Sequence, residues 1–172
     1  MGRELMWVCG ILPETLNREI VSICRNANQK IGLPETVFRF PLHISMKKSF
    51  YTEDFKTVKQ AVMVFLLQNG RIPCRTGAVI RHKGMLWLPV IPDACIRKVH
   101  DELDALLEKN YGIPISRFDR VFQPHVSLFT TGPIEQIKAM YEKLTILHKE
   151  KHFELKKFVV GSSGHRDEFF EV

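Results

Sequence analysis

The chain has 172 residues, of which 45% are apolar, and a formal net charge of +6 at neutral pH. This size suits one domain, residues 1–172, and no Ser/Gly-rich linker or low-complexity stretch divides it. No run approaches the 18 apolar residues of a membrane span and no signal peptide is visible, so we expect a cytoplasmic protein that acts without a membrane and as a monomer.

The first half of the chain predicts strand, helix, strand, helix and strand. An apolar segment over 5–11 predicts the first strand, and Pro13 stands where helices commonly start. Apolar residues then recur with helical spacing over 16–23. A second strand is expected from residue 43, and it is followed by an amphipathic helix over 55–65 and by a strand over 72–81.

The second half repeats this order at an offset of about 80 residues. Segments over 85–91 and 153–161 predict its outer strands, and the prolines Pro92 and Pro114 stand in the same places as Pro13 and Pro34. A glycine two residues before Pro34 and before Pro114 predicts that a helix ends at each point. We therefore expect an α+β fold of two related halves, about 1–82 and 83–172, that can exchange strands.

Two tetrapeptides carry the functional prediction: His43-Ile44-Ser45-Met46 and His125-Val126-Ser127-Leu128, 82 positions apart. Successive side chains of a strand face opposite sides, so His43 and Ser45 share one face, as do His125 and Ser127. A lone His-x-Ser is more often an ordinary polar edge. Its repetition within repeated halves favours a shared site, in which two imidazoles move protons and two hydroxyls hold one phosphate.

The paired motifs, together with the lead-in Phe122-Gln123-Pro124-His125, resemble the 2H phosphoesterase superfamily, in particular its bacterial RNA 2′,3′-cyclic phosphodiesterase or 2′-5′ RNA ligase branch. The resemblance covers nearly the whole chain. It implies two lobes whose antiparallel-rich sheets face a central cleft, with helices outside. It also implies metal-independent hydrolysis of a 2′,3′-cyclic phosphate to a 2′-phosphate, with His43 as acid and His125 as base, although the pseudo-symmetry allows the roles to be exchanged.

Other residues are predicted to line this cleft. Continuing the strand faces, Lys47 is a candidate phosphate contact and Phe129 a candidate base or ribose contact, with a solvated lysine and a core phenylalanine as the respective alternatives. Further cleft candidates are Trp87, Tyr51, Arg81 and Arg120. The five histidines outside the motifs lack a partner and are expected to be structural or exposed: His82, His100, His148, His152 and His165.

No metal or other cofactor is expected, because two imidazoles fall short of a catalytic zinc site and the four cysteines are scattered through apolar segments. The basic charge favours RNA ends or small nucleotides with a cyclic phosphate as partners. The segment Lys47-Lys48-Ser49-Phe50 departs from the Phe-Leu-Gly-like turn of the ligase branch, which leaves the substrate open. The alternatives are a phosphodiesterase for 2′-5′ oligonucleotides or other cyclic nucleotides, and a non-catalytic RNA- or nucleotide-binding module.

Overall fold

Residues 3–91 and 94–172, apart from the side chain of Arg166, are described by a computed structural model and form nine strands and five α-helices. The strands are β1 Glu4–Ile11, β2 His43–Thr52, β3 Ile72–Thr76, β4 Ile80–His82, β5 Met85–Ile91, β6 His125–Phe129, β7 His152–Leu155, β8 Lys157–Ser162 and β9 His165–Glu171. The helices are α1 Glu14–Asn28, α2 Phe55–Asn69, α3 Ala94–Tyr111, α4 Arg117–Arg120 and α5 Ile134–Lys143.

All of these strand pairings are antiparallel, and they follow the order β7-β3-β5-β6-β2-β1-β8-β9, with β4 beside β5. The sheet curls into a half-barrel. Its two halves meet where β2 lies against β6, at the pair Ile44–Val126. The predicted α+β class and its antiparallel strands are confirmed, and the two half-sheets are joined edge to edge into one sheet.

The halves of the sequence exchange their third strands. β3 belongs to the first half but pairs with β5, as in the pair Arg75–Ile91, and β8 belongs to the second half but pairs with β1. The order β8-β1-β2 on one side therefore matches β3-β5-β6 on the other. The helices follow the same rule, since α1 packs with α5 and α2 packs with α3.

The helix boundaries largely follow the expected punctuation. Pro13 precedes α1, and Pro92 lies outside the described residues. Gly112, with a φ of 64°, follows α3, and its N–H and that of Ile113 donate to the carbonyls of Glu108 and Leu107, which satisfies the end of the helix. α1 instead ends at Asn28, four residues before Gly32, because the Asn28 amide hydrogen-bonds both main-chain groups of Leu33. Within the described ranges, no helix has the length and hydropathy to cross a bilayer.

Candidate active site

The pairing of β2 with β6 brings the two motifs together. Ile44 and Val126 are fully buried partners, so the register places His43 beside Ser127 and Ser45 beside His125 on the opposite face. Such cross-strand neighbours have Cβ atoms about 4.5–5.5 Å apart, and the two histidines are diagonal neighbours at about 7–8 Å. The result is a square of alternating imidazoles and hydroxyls around a local two-fold axis.

Both imidazoles are oriented by the main chain in the same way. Nδ1 of His43 lies 3.0 Å from the carbonyl oxygen of Pro41, and Nδ1 of His125 lies 2.8 Å from that of Gln123. A carbonyl oxygen can only accept, so each Nδ1 carries the proton and donates it to that oxygen. Nε2 of each ring is therefore the atom available for proton transfer in the cleft.

Two adjoining pockets share Ser45 and flank the square. The first, about 410 Å³, contains His43 and Ser127, and the second, about 390 Å³, contains His125. We call them the His43 pocket and the His125 pocket. Their volumes fall within the range of small-molecule sites. Of the further candidates, Trp87 lines the His125 pocket, whereas Tyr51, Arg81 and Arg120 line neither one.

Lys47 and Phe129 differ from the expectation because each strand is irregular directly after its motif serine. The β1–β2 register shifts between Val8 and Cys9, and the β5–β6 register shifts between Leu86 and Trp87. Each shift inserts one residue and reverses the facing of the next one. Phe129 is consequently buried, packed edge-on against Phe38, which is the core alternative. Lys47 is likewise turned inward and 2% exposed, so it is not a solvated lysine, and it lines the buried base of the His125 pocket.

The Lys47 ammonium lies in a buried charge network below the His125 pocket. Nζ donates to Asp119 Oδ2 at 2.8 Å and lies 2.8 Å from Asp104 Oδ1, and all three side chains are at most 3% exposed. Burial opposes ionisation of Asp119, but hydrogen bonds from Lys47, Lys48 N–H and Ser116 lower its pKa. Burial raises the pKa of Asp104, against the attraction of Lys47.

This network also contains the one group of metal-ligand type found among the described residues, namely His100, Asp104 and Asp119. The Lys47 ammonium already lies against both carboxylates, so their negative charge has a cation within the protein. His100 stacks on Phe122 and is 1% exposed, in line with a structural role. The ion pairs of Lys47 on β2 with Asp104 on α3 and Asp119 on α4 therefore hold these three elements together.

His82 belongs to the site although no sequence pattern indicated it. Its ring stacks on Trp87 at 3.9 Å between centroids, and Trp87 stacks on His125 at 3.7 Å. Burial lowers the pKa of His125, and the charges of His82 and His43 lower it further, while the hydrogen bond to Gln123 acts in the opposite direction. Each effect but the hydrogen bond favours a neutral imidazole at His125.

Exposed apolar side chains stand at the mouth of the His125 pocket. Phe118 is 60% exposed and Val121 65% exposed, and the cationic groups of Lys48 and Arg117 lie over the Phe118 ring at 5.2 and 5.5 Å. α4 holds them there, because the neighbouring Asp119 closes a capping box with Ser116 and accepts from Lys48 N–H. The spacing Ser116-x-x-Asp119 is a sequence feature that could have revealed this turn.

No protein-family model matches the chain, and neither does any curated protein. Among solved structures, E. coli LigT complexed with 3′-AMP is 14% identical, with a TM-score of 0.60 over 99% of this chain and 96% of that one. A crystal structure of a phosphoesterase is 13% identical, with a TM-score of 0.59 over 99% and 96%.

Usb1 from Kluyveromyces marxianus is 11% identical, with a TM-score of 0.55 over 99% of this chain and 97% of its own. Matches at this level of identity show the fold alone, and they cover both halves of this chain. The protein therefore has the fold of the LigT and Usb1 structures, in agreement with the α+β fold that the sequence resemblance implied.

Proposed function

We propose that the protein is a metal-independent phosphodiesterase that opens a 2′,3′-cyclic phosphate at an RNA end or on a nucleotide and leaves a 2′-phosphate. The observation that carries this proposal is the square of His43, Ser127, Ser45 and His125 around the Ile44–Val126 pair. The similar LigT structure holds 3′-AMP, a nucleotide of related chemistry. Here the ligand and the reaction are inferred from the residues of the cleft.

The diagonal placement of the imidazoles suits an in-line displacement at phosphorus. A water on the His125 side attacks phosphorus while Nε2 of His125 takes its proton. The bond from phosphorus to the ribose 3′ oxygen breaks, and Nε2 of a protonated His43 gives its proton to that oxygen. One water is added overall, and proton exchange with solvent restores both imidazoles.

The remaining groups fit this assignment of roles. Ser45 and Ser127 donate to the non-bridging oxygens as negative charge develops, a contribution that a carboxylate at these positions would reverse. His125 is the base because its surroundings favour the neutral ring. Since His43 donates its proton to the ribose 3′ oxygen, the sugar of the reacting nucleotide lies on the His43 side of the cleft.

A substrate panel with a chelator tests the proposal. Purified protein is incubated with 2′,3′-cyclic nucleotides, 3′,5′-cyclic nucleotides, 2′-5′ dinucleotides and an ADP-ribose cyclic phosphate, each with and without EDTA. We expect 2′-phosphate products from the 2′,3′-cyclic substrates at the same rate in EDTA. If another class of substrate is turned over faster, that class is the substrate and the 2′,3′-cyclic assignment is wrong. Tight binding without turnover favours a binding module. Loss of activity in EDTA that a divalent ion restores contradicts the metal-independent mechanism.

We expect the pH profile of kcat/KM to be bell-shaped, with its acid limb at a lower pH than an ordinary histidine would give. The base must be neutral, so activity falls as the pH drops through the pKa of His125, which lies below the ordinary value of about 6.5. Activity should therefore persist at pH values where an ordinary histidine is mostly protonated. In His82→Gln, which removes one positive neighbour, the acid limb should move to higher pH; an unmoved limb contradicts the role of His82.

The His125 pocket is suited to the neighbouring nucleotide of an RNA end. Phe118 offers an exposed ring on which a base can stack, and Lys48 and Lys83 bring positive charge to the same pocket. The separate His43 pocket accommodates the reacting nucleoside. An RNA end would therefore occupy both pockets, whereas a mononucleotide needs only one.

Phe118→Ala is expected to raise KM for a dinucleotide with a cyclic end and to leave kcat nearly unchanged. Loss of one base stack, about 1–3 kcal/mol, corresponds to an increase of about 5–150-fold. KM for a nucleoside 2′,3′-cyclic phosphate should stay the same. Tyr51→Ala is the control, because Tyr51 is 63% exposed and lies outside both pockets; equal effects on both substrates contradict the second pocket.

A further inference from the structure

Asp167 places a carboxylate in a cleft that is otherwise suited to anions. It lines the His43 pocket together with His43, Ser45 and Ser127. Its Oδ1 is buried and has no hydrogen-bond partner among the described residues. Its charge also acts on the thiol of Cys9, the β-sheet partner of Ser45, so it lies close to the centre of the site.

The fold makes specific room for this carboxylate. Trp7 pairs with Gly161, and the β8–β9 register shifts between Val160 and Ser162. A Cβ at residue 161 would overlap both Oδ1 of Asp167 and the indole nitrogen of Trp7. Asp167 and Trp7 therefore lie side by side over a position that a side chain would fill.

An unpaired buried acceptor is costly, and a ligand that donates to it removes that cost. A phosphate cannot do so, because it is itself an anionic acceptor. Trp7 and Phe40 line the same pocket, and aromatic side chains commonly receive nucleobases by stacking. An N–H donor on a base stacked between these rings would satisfy Asp167.

We propose that Asp167 selects guanine as the base of the reacting nucleotide, with N1–H and the N2 amino group of guanine donating to its carboxylate. Guanine is the standard base with two adjacent donors on its Watson–Crick edge, whereas adenine and cytosine present a donor beside an acceptor. This inference rests on the proposed function, because His43 at the ribose oxygen places the base in this pocket. Asp167 is then a specificity-determining residue.

The test measures kcat/KM for the guanosine, inosine, adenosine, cytidine and uridine 2′,3′-cyclic phosphates. The wild-type protein should prefer guanosine over adenosine by about 10–100-fold, the range expected for a hydrogen bond to a charged group. Inosine, which lacks the N2 amino group, should fall between them. In Asp167→Asn, guanosine should lose most of its advantage and adenosine should gain relative to it, since an amide offers one donor and one acceptor.

Glu168→Gln is the matched control, because it removes the same charge one residue away, where the carboxylate pairs with Lys59 on α2. It should leave the order of bases unchanged. Gly161→Ala, which displaces Asp167 without changing its charge, should weaken the guanosine preference. Binding of 2′-GMP and 2′-AMP, measured by calorimetry, checks the preference without turnover.

The outcomes separate this inference from the proposed function. Equal turnover of all bases by the wild-type protein overturns the guanine assignment and leaves the phosphodiesterase intact. A uniform loss for every base in Asp167→Asn also overturns it, because the carboxylate would then contact the ribose. If no cyclic phosphate is turned over, the proposed function fails, and a calorimetric preference for 2′-GMP that Asp167→Asn removes would still support the base contact.

Discussion

His43→Ala and His125→Ala should each lower turnover of a 2′,3′-cyclic phosphate by about 10²–10⁴-fold, the usual contribution of one positioned proton transfer. Each variant should remain folded, because both rings are only partly buried and their strands are held by fully buried neighbours such as Ile44 and Val126. Steady-state kinetics, with circular dichroism and a thermal melt for each variant, measure the effect.

His152→Ala is the control for these variants, because its side chain is 77% exposed on β7, away from the cleft. It should retain wild-type turnover. Near wild-type activity in folded His43→Ala or His125→Ala would remove the two-imidazole mechanism. A loss in one variant alone would leave a single proton transfer and assign it to that ring.

Lys47→Met should destabilise the protein by about 3–5 kcal/mol, since removal of one partner from a buried ion pair leaves uncompensated charge. Two carboxylates that are 3% exposed would lose their cation, and the carbonyl of Pro114 would lose a donor. For a chain of this size the melting temperature should fall by about 6–20 °C. Urea unfolding, monitored by circular dichroism, measures the change directly.

Lys48→Met is the matched control for Lys47→Met. Lys48 is the next residue and is exposed, and its contribution to Asp119 comes from its main-chain N–H, which the substitution keeps. Its stability should change by less than about 0.5 kcal/mol. Adding Asp104→Asn to Lys47→Met should recover part of the loss, because it removes one uncompensated charge. If Lys47→Met is as stable as Lys48→Met, the network does not hold α4 in place.

The general fold and the facing of the motif side chains could be predicted from the sequence. Strand alternation requires only local polarity, and it placed Ile44 and Val126 inward with His43 and His125 outward. The alternation fails at Lys47 because the register of β2 against β1 shifts there. That shift depends on contacts between strands distant in the chain, so the residues around Lys47 do not predict it.

Residues brought to the cleft by distant parts of the chain were also beyond sequence reasoning. Asp167 lies 124 positions after His43 and reaches it through β8 and β9. His82 is brought to His125 because both imidazoles stack on the ring of Trp87. Neither residue belongs to a repeated motif, so tertiary contacts alone reveal their place.

The exchange of third strands has a consequence for the order in which the molecule is assembled during synthesis. β1 is made first, but its outer partner is β8, as in the pair Met6–Ser162. Long-range pairs of this kind close late, because the intervening chain must lose conformational entropy first. A ribosome-bound chain that stops before residue 157 therefore lacks Asp167, which lines the His43 pocket, and the β8 partner of β1. The cleft can be completed only after the last strands have left the exit tunnel.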